Sequence, residues 1–229
     1  MIKNDPSYLI RASNLIYDYG TGDLTQSVLK GANLEVFSGE FVILAGPSGS
    51  GKSTLLSLIG ALRKIQGGEL SIVGCDLRDA DDIVMRKIRR QVGYVFQQHN
   101  LLGFLTALQN VEMTLEMFSD YSERARHDLA VQTLQSVGLR RQMDSYSSQL
   151  SVGQKQRVAI ARSLVHQPKV ILADEPTASL DSKTGLQVVE ILHGMVKNTG
   201  CGAFIVTHDH RIFEYADRIL NIEDGVVTS

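Results

Sequence analysis

The run Gly46-Pro47-Ser48-Gly49-Ser50-Gly51-Lys52-Ser53-Thr54 fits the pattern Gly-x-x-x-x-Gly-Lys-Ser/Thr. An apolar stretch, Phe41 to Ala45, precedes it, and an apolar helical pattern, Thr54 to Leu62, follows. In that context the run describes a phosphate cradle. Its backbone turns tightly enough for several N–H groups to converge on phosphate oxygens, and the helix N-terminus adds partial positive charge. Lys52 is expected to reach the β- and γ-phosphates, and the Ser53 hydroxyl to ligate Mg2+. A glycine-rich turn without a ligand is the bland alternative. The strand, the helix and a complementary acid further along argue against it.

That acid lies in Val170-Ile171-Leu172-Ala173-Asp174-Glu175-Pro176, an apolar run that ends in two carboxylates. Ligands of open α/β sheets bind outside the carboxyl ends of the strands. Asp174 is therefore expected to hold Mg2+, and Glu175 to polarise an attacking water as general base. Alone, Asp-Glu-Pro would describe a solvated turn; beside a phosphate cradle that becomes the minor reading. A further stretch, Leu150-Ser151-Val152-Gly153-Gln154-Lys155-Gln156-Arg157, has Ser151 and Gln154 in capping-box spacing. A helix N-terminus with a serine hydroxyl and a close-approaching glycine is also an anion site. Both readings use the same geometry.

The elements that must carry these residues follow from hydrophobic pattern. Short runs rich in β-branched residues recur at Phe41–Ala45, Val92–Phe96, Val170–Ala173, Ala203–Val206 and Arg218–Ile222. Several are uninterrupted, as in parallel strands buried on both faces. Helical patterns, clearest at Thr54–Leu62 and Leu186–Val196, separate them, which argues for an α/β core with a mainly parallel sheet. The N-terminal part differs. Tyr8–Tyr19 and Val28–Phe37 are expected as antiparallel strands joined by the polar segment 20–27. Helices at Thr106–Phe118 and Ser122–Val137 describe a helical insertion between two core strands. No internal repeat or long linker divides the chain. The expectation is one domain over 1–229, with a core and β subdomain at about 1–96 and 163–229 and a helical subdomain at about 97–162.

Bulk properties narrow the function. The chain has 229 residues, 43% of them hydrophobic, and a formal net charge of -2, so a large basic face for nucleic acid is not indicated. Cys75 and Cys201 are isolated, as expected of reduced thiols rather than a disulfide or zinc framework. The N-terminal MIKNDPSYLI lacks the apolar stretch of a leader, and no run approaches a membrane span. If the protein works at a membrane, something else holds it there. The basic run Arg86-Lys87-Ile88-Arg89-Arg90 is expected as a solvated helix face. His208-Asp209-His210 supplies too few ligands for a metal site.

Taken in order, the motifs resemble the ATPase subunits of ATP-binding-cassette transporters over about Tyr8 to Gly225. After the cradle, Gly93-Tyr94-Val95-Phe96-Gln97 is similar to the Q-loop and LSVGQKQRVAIAR to the signature motif. Ile171 to Asp181, ILADEPTASLD, resembles Walker B with the D-loop, and Val206-Thr207-His208-Asp209 the switch histidine. The resemblance implies a P-loop NTPase core, with ATP and Mg2+ as its cofactors. It implies that Gln97 contacts Mg2+ or the lytic water and that His208 touches the γ-phosphate and orients Glu175. Asp181 would couple two sites across a dimer. Tyr19 sits where the family stacks an aromatic on adenine, with Tyr17 the neighbouring alternative in register. In the family, the signature serine and glycine, here Ser151 and Gly153, with Gln154, face the γ-phosphate held by the other subunit of a head-to-tail homodimer. Val152 departs from the commoner glycine; a valine in the first helical turn can point away, and activity is expected to survive.

The segments Phe96 to Leu102 and Leu105 to Val111 resemble the lipoprotein-release and macrolide-export branch, and HNLL with VTHDHRIFEYADRI the ATPases of Dev-type cyanobacterial glycolipid exporters. That resemblance implies a separate transmembrane permease, a membrane-fusion protein, and a place at the cytoplasmic face of the inner membrane, peripheral through the permease. The permease groove is expected near Gln97 to Val111, where Leu101, Leu102 and Phe104 either meet the partner or pack the insertion on the core. A relative of the branch signals mechanically to a cell-wall hydrolase without transport, which is the alternative. A soluble ATPase acting on ribosomes or DNA is a third reading, disfavoured by the single cassette and near-neutral charge.

Overall fold

Both faces of one sheet are buried, and that accounts for the uninterrupted apolar runs. In the computed structural model, which describes residues 8–228, parallel strands β3 (Phe41–Ala45), β6 (Val92–Val95), β7 (Val170–Asp174), β8 (Gly202–Val206) and β9 (Arg218–Glu223) line up in the order β9-β3-β8-β7-β6. A short β10 (Val226–Thr228) pairs antiparallel with β9 at the edge. Alternate side chains enter opposite cores. Val42, Leu44, Leu172, Phe204 and Val206 join one cluster, while Phe41, Ile43, Ile171, Ala173, Ala203 and Ile205 join the other.

The first cluster is closed by a second, antiparallel sheet of order β2-β1-β4-β5. It comprises β1 (Tyr8–Tyr19), β2 (Gln26–Phe37), β4 (Gly67–Ile72) and β5 (Cys75–Asp76). The N-terminal hairpin is thus as expected; β4 and β5 are additions. Helix α1 (Lys52–Ile59) lies in this layer. It starts and stops earlier than the apolar pattern suggests, because Gly51 (φ 106) ends the preceding turn and Gly60 with Ala61 (φ 52) breaks the helix. Helix α2 (Asp82–Arg89), capped by Asp81, buries Met85 and Ile88 and keeps Arg86, Lys87 and Arg89 outward, as expected of the basic run.

The second cluster is closed by helices α3 (Ala107–Leu115), α4 (Glu123–Ser136), α5 (Val152–Leu164) and α6 (Ser182–Thr199). Each begins at a side-chain cap, respectively Thr106, Ser122, Ser151 and Asp181. The helical insertion therefore packs onto the sheet through shared apolar residues. The segment before α3 is fixed by Asn110, which is fully buried. Its carboxamide accepts from Leu102 N at 2.8 Å and donates to the carbonyls of Leu102, Leu105 and Thr106. Leu101 packs into the second cluster, whereas Phe104 stands 74% exposed. Residues 1–7, on which the expected absence of a leader partly rests, lie outside the described residues. Among the described residues no helix is long and apolar enough to cross a membrane.

Candidate functional site

The loop between β3 and α1 folds back on its own lysine. Lys52 Nζ donates to the carbonyls of Gly46 at 2.8 Å and Pro47 at 2.6 Å, and the side chain is buried. Gly51 holds φ 106, and a Cβ there would meet the Val28 carbonyl at 2.9 Å, so an L side chain is excluded on both counts. The lysine cation is thereby held against the loop at the mouth of α1, where the first N–H groups of a helix favour an anion.

A cleft of about 420 Å³ opens over this loop. It is lined by Tyr19, Gln26, Val28, Ser48, Gly49, Gly51, Lys52, Ser53, Thr54, Gln97, Asp174, Glu175 and His208. Six separate segments supply these residues. Parallel pairing sets β3, β8, β7 and β6 side by side, so the chain leaving each strand at its carboxyl end arrives at the same place. Gly46, Pro47 and Ser50 form the rest of the loop; among the described residues the buried Ser50 hydroxyl has no hydrogen-bond partner. Gln26 and Val28 were not singled out by sequence, since neither belongs to a chemical motif; they arrive because β2 runs beside the loop.

The two acids at the end of β7 occupy different surroundings. Burial pushes the Asp174 carboxyl above the ordinary aspartate value; the Ser53 hydroxyl draws it back, nearby Glu175 adds to the rise, and the Lys52 charge opposes it. A hydroxyl and a carboxylate facing one another are hard oxygen donors of the kind Mg2+ takes, so these residues fit that ion. Glu175 sits in the left-handed region at φ 48, a conformation that costs about 1–3 kcal/mol for a non-glycine residue. The turn is retained by its N–H, which donates to the Val206 carbonyl at 2.8 Å. It directs the carboxylate toward the loop after β8. There Oε1 lies 2.7 Å from His208 Nδ1, and Oε2 accepts from Thr207 Oγ1 at 3.1 Å and from His208 N at 3.4 Å. The Thr207 contact was missed by sequence; its signal is a hydroxyl residue immediately before the histidine at a strand end.

The two tyrosines part company. Tyr17 is buried, its hydroxyl accepting from Arg63 Nη1 at 3.3 Å. Tyr19 lines the cleft, with its hydroxyl 3.2 Å from Thr54 Oγ1 and the Arg63 guanidinium 5.1 Å from its ring centre. Gln97 follows β6, and the carbonyls just beyond it, His99 and Asn100, accept from Arg162 of α5 at 2.8 and 2.6 Å.

Ser151, Gly153, Gln154 and Asp181 do not line this cleft. Ser151 and Gln154 form the expected capping box, with Gln154 N donating to Ser151 Oγ at 3.2 Å and Ser151 N to Gln154 Oε1 at 2.8 Å. Asp181 caps α6 through Thr184 N at 3.1 Å and Thr184 Oγ1 at 2.7 Å. The two helix starts touch. A Cβ on Gly153 would meet Thr184 Cγ2 at 2.4 Å. Val152, in contrast, is 46% exposed.

The model of the family described as ABC transporter matches residues 29–178. The chain is 42% identical over 223 residues to the uncharacterized ABC transporter ATP-binding protein MJ0796 of Methanocaldococcus jannaschii, covering 96% of this chain and 95% of that one. It is 40% identical over 220 residues to the macrolide export ATP-binding/permease protein MacB of Escherichia coli K12, covering 96% of this chain but only 34% of MacB. Among solved structures, the dimeric post-hydrolysis state of the ATP-binding cassette MJ0796 bound to ADP and Pi superposes with a TM-score of 0.89 at 41% identity, covering 96% of this chain and 97% of that one.

Proposed function

The chain belongs to the ABC transporter family as an ATPase domain, and from that premise we propose that it hydrolyses ATP to drive export through a separate membrane permease. The observation that carries the reading is the cleft itself. Cradle, acid pair, histidine, glutamine and the half-buried Tyr19 meet in one space of about 420 Å³, while a capped helix start that could also bind an anion stands outside it.

In this reading Tyr19 stacks on the adenine, and Gly46 to Thr54 hold the phosphates, with Lys52 turning from its loop carbonyls to the γ-phosphate. Ser53 and Asp174, with Gln97, would hold Mg2+, which when bound neutralises charge on the β- and γ-oxygens. Glu175 takes a proton from the attacking water, and His208 orients the carboxylate that takes it. Donors fixed before reaction are worth most in a cleft that excludes water.

The helix start at Ser151, Gly153 and Gln154, together with Asp181, serves a second copy. Two chains packed head to tail would place each α5 N-terminus on the γ-phosphate held by the other. Dimer closure then depends on ATP, and hydrolysis loosens it by removing that contact. The dimeric MJ0796 structures support this reading. We take 1–96 and 163–229 as the nucleotide-holding core and 97–162 as the helical part that meets the permease near Gln97 to Val111, with Phe104 the outward apolar residue. That MacB carries ATP-binding and permease parts in one name supports a membrane partner. We extend the proposal to a Dev-type exporter with a membrane-fusion protein, at the cytoplasmic face of the inner membrane, with no nucleic acid partner.

Two measurements test it. The purified chain should turn over ATP and dimerise with ATP when Glu175 is replaced by Gln. A pull-down from membranes with mass spectrometry should recover a permease and a fusion protein. A peptidoglycan hydrolase in their place would mean mechanical signalling without transport, and ribosomes would mean a soluble ATPase.

A further inference from the structure

The loop that carries His208 is tied down by a residue outside the cleft. Asp209 follows the histidine, and its carboxylate is only 12% exposed. It accepts from Arg211 twice, Nε to Oδ1 at 2.7 Å and Nη2 to Oδ2 at 2.7 Å, and from the fully buried Thr177 hydroxyl at 2.8 Å. Those hydrogen bonds, Arg211 foremost, pull the carboxyl down to about 2 against the opposing effect of burial.

The same guanidinium reaches a second element. Arg211 Nη1 donates to Ser182 Oγ at 2.6 Å, and Ser182 is the first residue of α6, directly after Asp181. From Asp209 the chain of bonds continues inward. Asp209 N donates to Thr207 Oγ1 at 3.0 Å, and that hydroxyl donates to Glu175 Oε2 at 3.1 Å. One planar fork of donors therefore joins the histidine loop to the start of the helix that Asp181 caps. A lysine, a point charge without the fork, could not make all three contacts in this geometry.

We propose that Arg211 is a positioning residue for hydrolysis: it locks the His208 loop to the first turn of α6, so that the Glu175–His208 pair and Asp181 shift as one unit. The proposal rests on the cleft being an ATPase site. Arg211 does not line that cleft, so its influence passes through Asp209 and Thr207. Its loss should slow turnover without weakening nucleotide capture, because its side-chain hydrogen bonds among the described residues go to Asp209 and Ser182 and to neither Tyr19 nor the cradle. The bond to Ser182 should matter only while Arg211 is present.

The test uses the full chain as wild type, Arg211→Ala, Arg211→Lys, Ser182→Ala and the double variant Arg211→Ala/Ser182→Ala, measuring kcat and KM for ATP alongside Tm. In Arg211→Ala, kcat should fall about tenfold, the scale expected when a reacting pair is slightly misplaced, with KM held within about twofold. Arg211→Lys should recover part of the loss, and the double variant should be no slower than Arg211→Ala. A lowered Tm with unchanged kcat would make Arg211 merely structural and overturn the proposal. So would losses from Ser182→Ala and Arg211→Ala that simply add. Should Arg211→Ala fail to fold, reduced kcat at unchanged KM and Tm in Arg211→Lys and Ser182→Ala supports the proposal, and unchanged kcat in both overturns it. A wild-type chain without turnover removes the ATPase reading and this proposal together; an active chain indifferent to Arg211 removes only the proposal.

Discussion

His208 Nδ1 lies 2.7 Å from Glu175 Oε1, joining the loop after β8 to the end of β7. Because Glu175 also holds a left-handed backbone and accepts from Thr207, its carboxylate is held against the loop after β8, at the wall of the cleft. Glu175→Gln should bind ATP, lose about a thousandfold in turnover as a general base does, and accumulate as a dimer in ATP. Size-exclusion chromatography and phosphate release check both. An ATP-insensitive monomer with normal turnover would contradict the base assignment and the dimer together.

Val152 points into solvent beside a buried Gly153. Val152→Gly should leave turnover within about threefold of wild type, since the exposed side chain points away from Ser151 and Gly153; its cost, about 0.5–1 kcal/mol for a glycine in a helix, falls on stability. A gain of several orders of magnitude would mean that the valine obstructs the site.

Gly153 is the intolerant neighbour. Its Cβ would stand 2.4 Å from Thr184 Cγ2, so Gly153→Ala should cost about 1–3 kcal/mol by overpacking. Thr184→Ser deletes that methyl but keeps the hydroxyl bonded to Asp181. The double variant should regain most of the lost stability in urea denaturation, and failure to do so would place the strain elsewhere.

Asn110 is buried with its carboxamide bonded to the Leu102–Thr106 segment. Asn110→Ala removes the partner of Leu102 N and of the Leu105 carbonyl, while the Leu102 and Thr106 carbonyls keep Leu105 N and Asn110 N, and should destabilise the chain by about 2 kcal/mol. Phe104→Ser, on the exposed side of the same segment, should leave the urea midpoint unchanged while weakening recovery of the permease in a membrane pull-down.

Asp209 sets an acid limb. Its carboxyl titrates at about 2 in the fold, below the ordinary aspartate value near about 4. The folded chain thus binds fewer protons here than the unfolded one, so the contribution is present above about pH 4 and lost as pH falls toward about 2. Urea midpoints for Asp209→Asn should be lower than wild type at neutral pH and converge with it on acidification. A constant gap across that range would show that the carboxylate charge is not what Arg211 holds.

Much of the site was legible because its parts are local. The cradle needs adjacent residues on a strand–loop–helix turn, and the capping box at Ser151 needs only Gln154 three positions on. Runs such as Ile171–Ala173 announced strands buried on both faces, and Asp181 and Gly200 now explain why α6 extends beyond the apolar pattern at both ends. The short strands β4 and β5 carried no comparable signal: their alternation is brief, and they are strands because β1 offers them an edge. The choice between Tyr17 and Tyr19 lay beyond local pattern for the same reason. Two positions apart on a strand, they share a face, and Arg63 and Thr54 separate a packed ring from one on the cleft.

By itself the sequence determined the chemistry on offer: a phosphate-binding loop, an acid pair after a buried strand, a glutamine, a histidine and a capped helix start. Tertiary structure alone decided which of these meet. Parallel pairing brings the ends of β3, β6, β7 and β8 to one cleft and leaves Ser151, Gly153 and Asp181 outside it. It also creates Arg211's bridge between Asp209 and Ser182. That bridge spans residues far apart in the chain, and hydrogen bonds depend on distance and direction in space, which one-dimensional spacing does not encode beyond a turn or two.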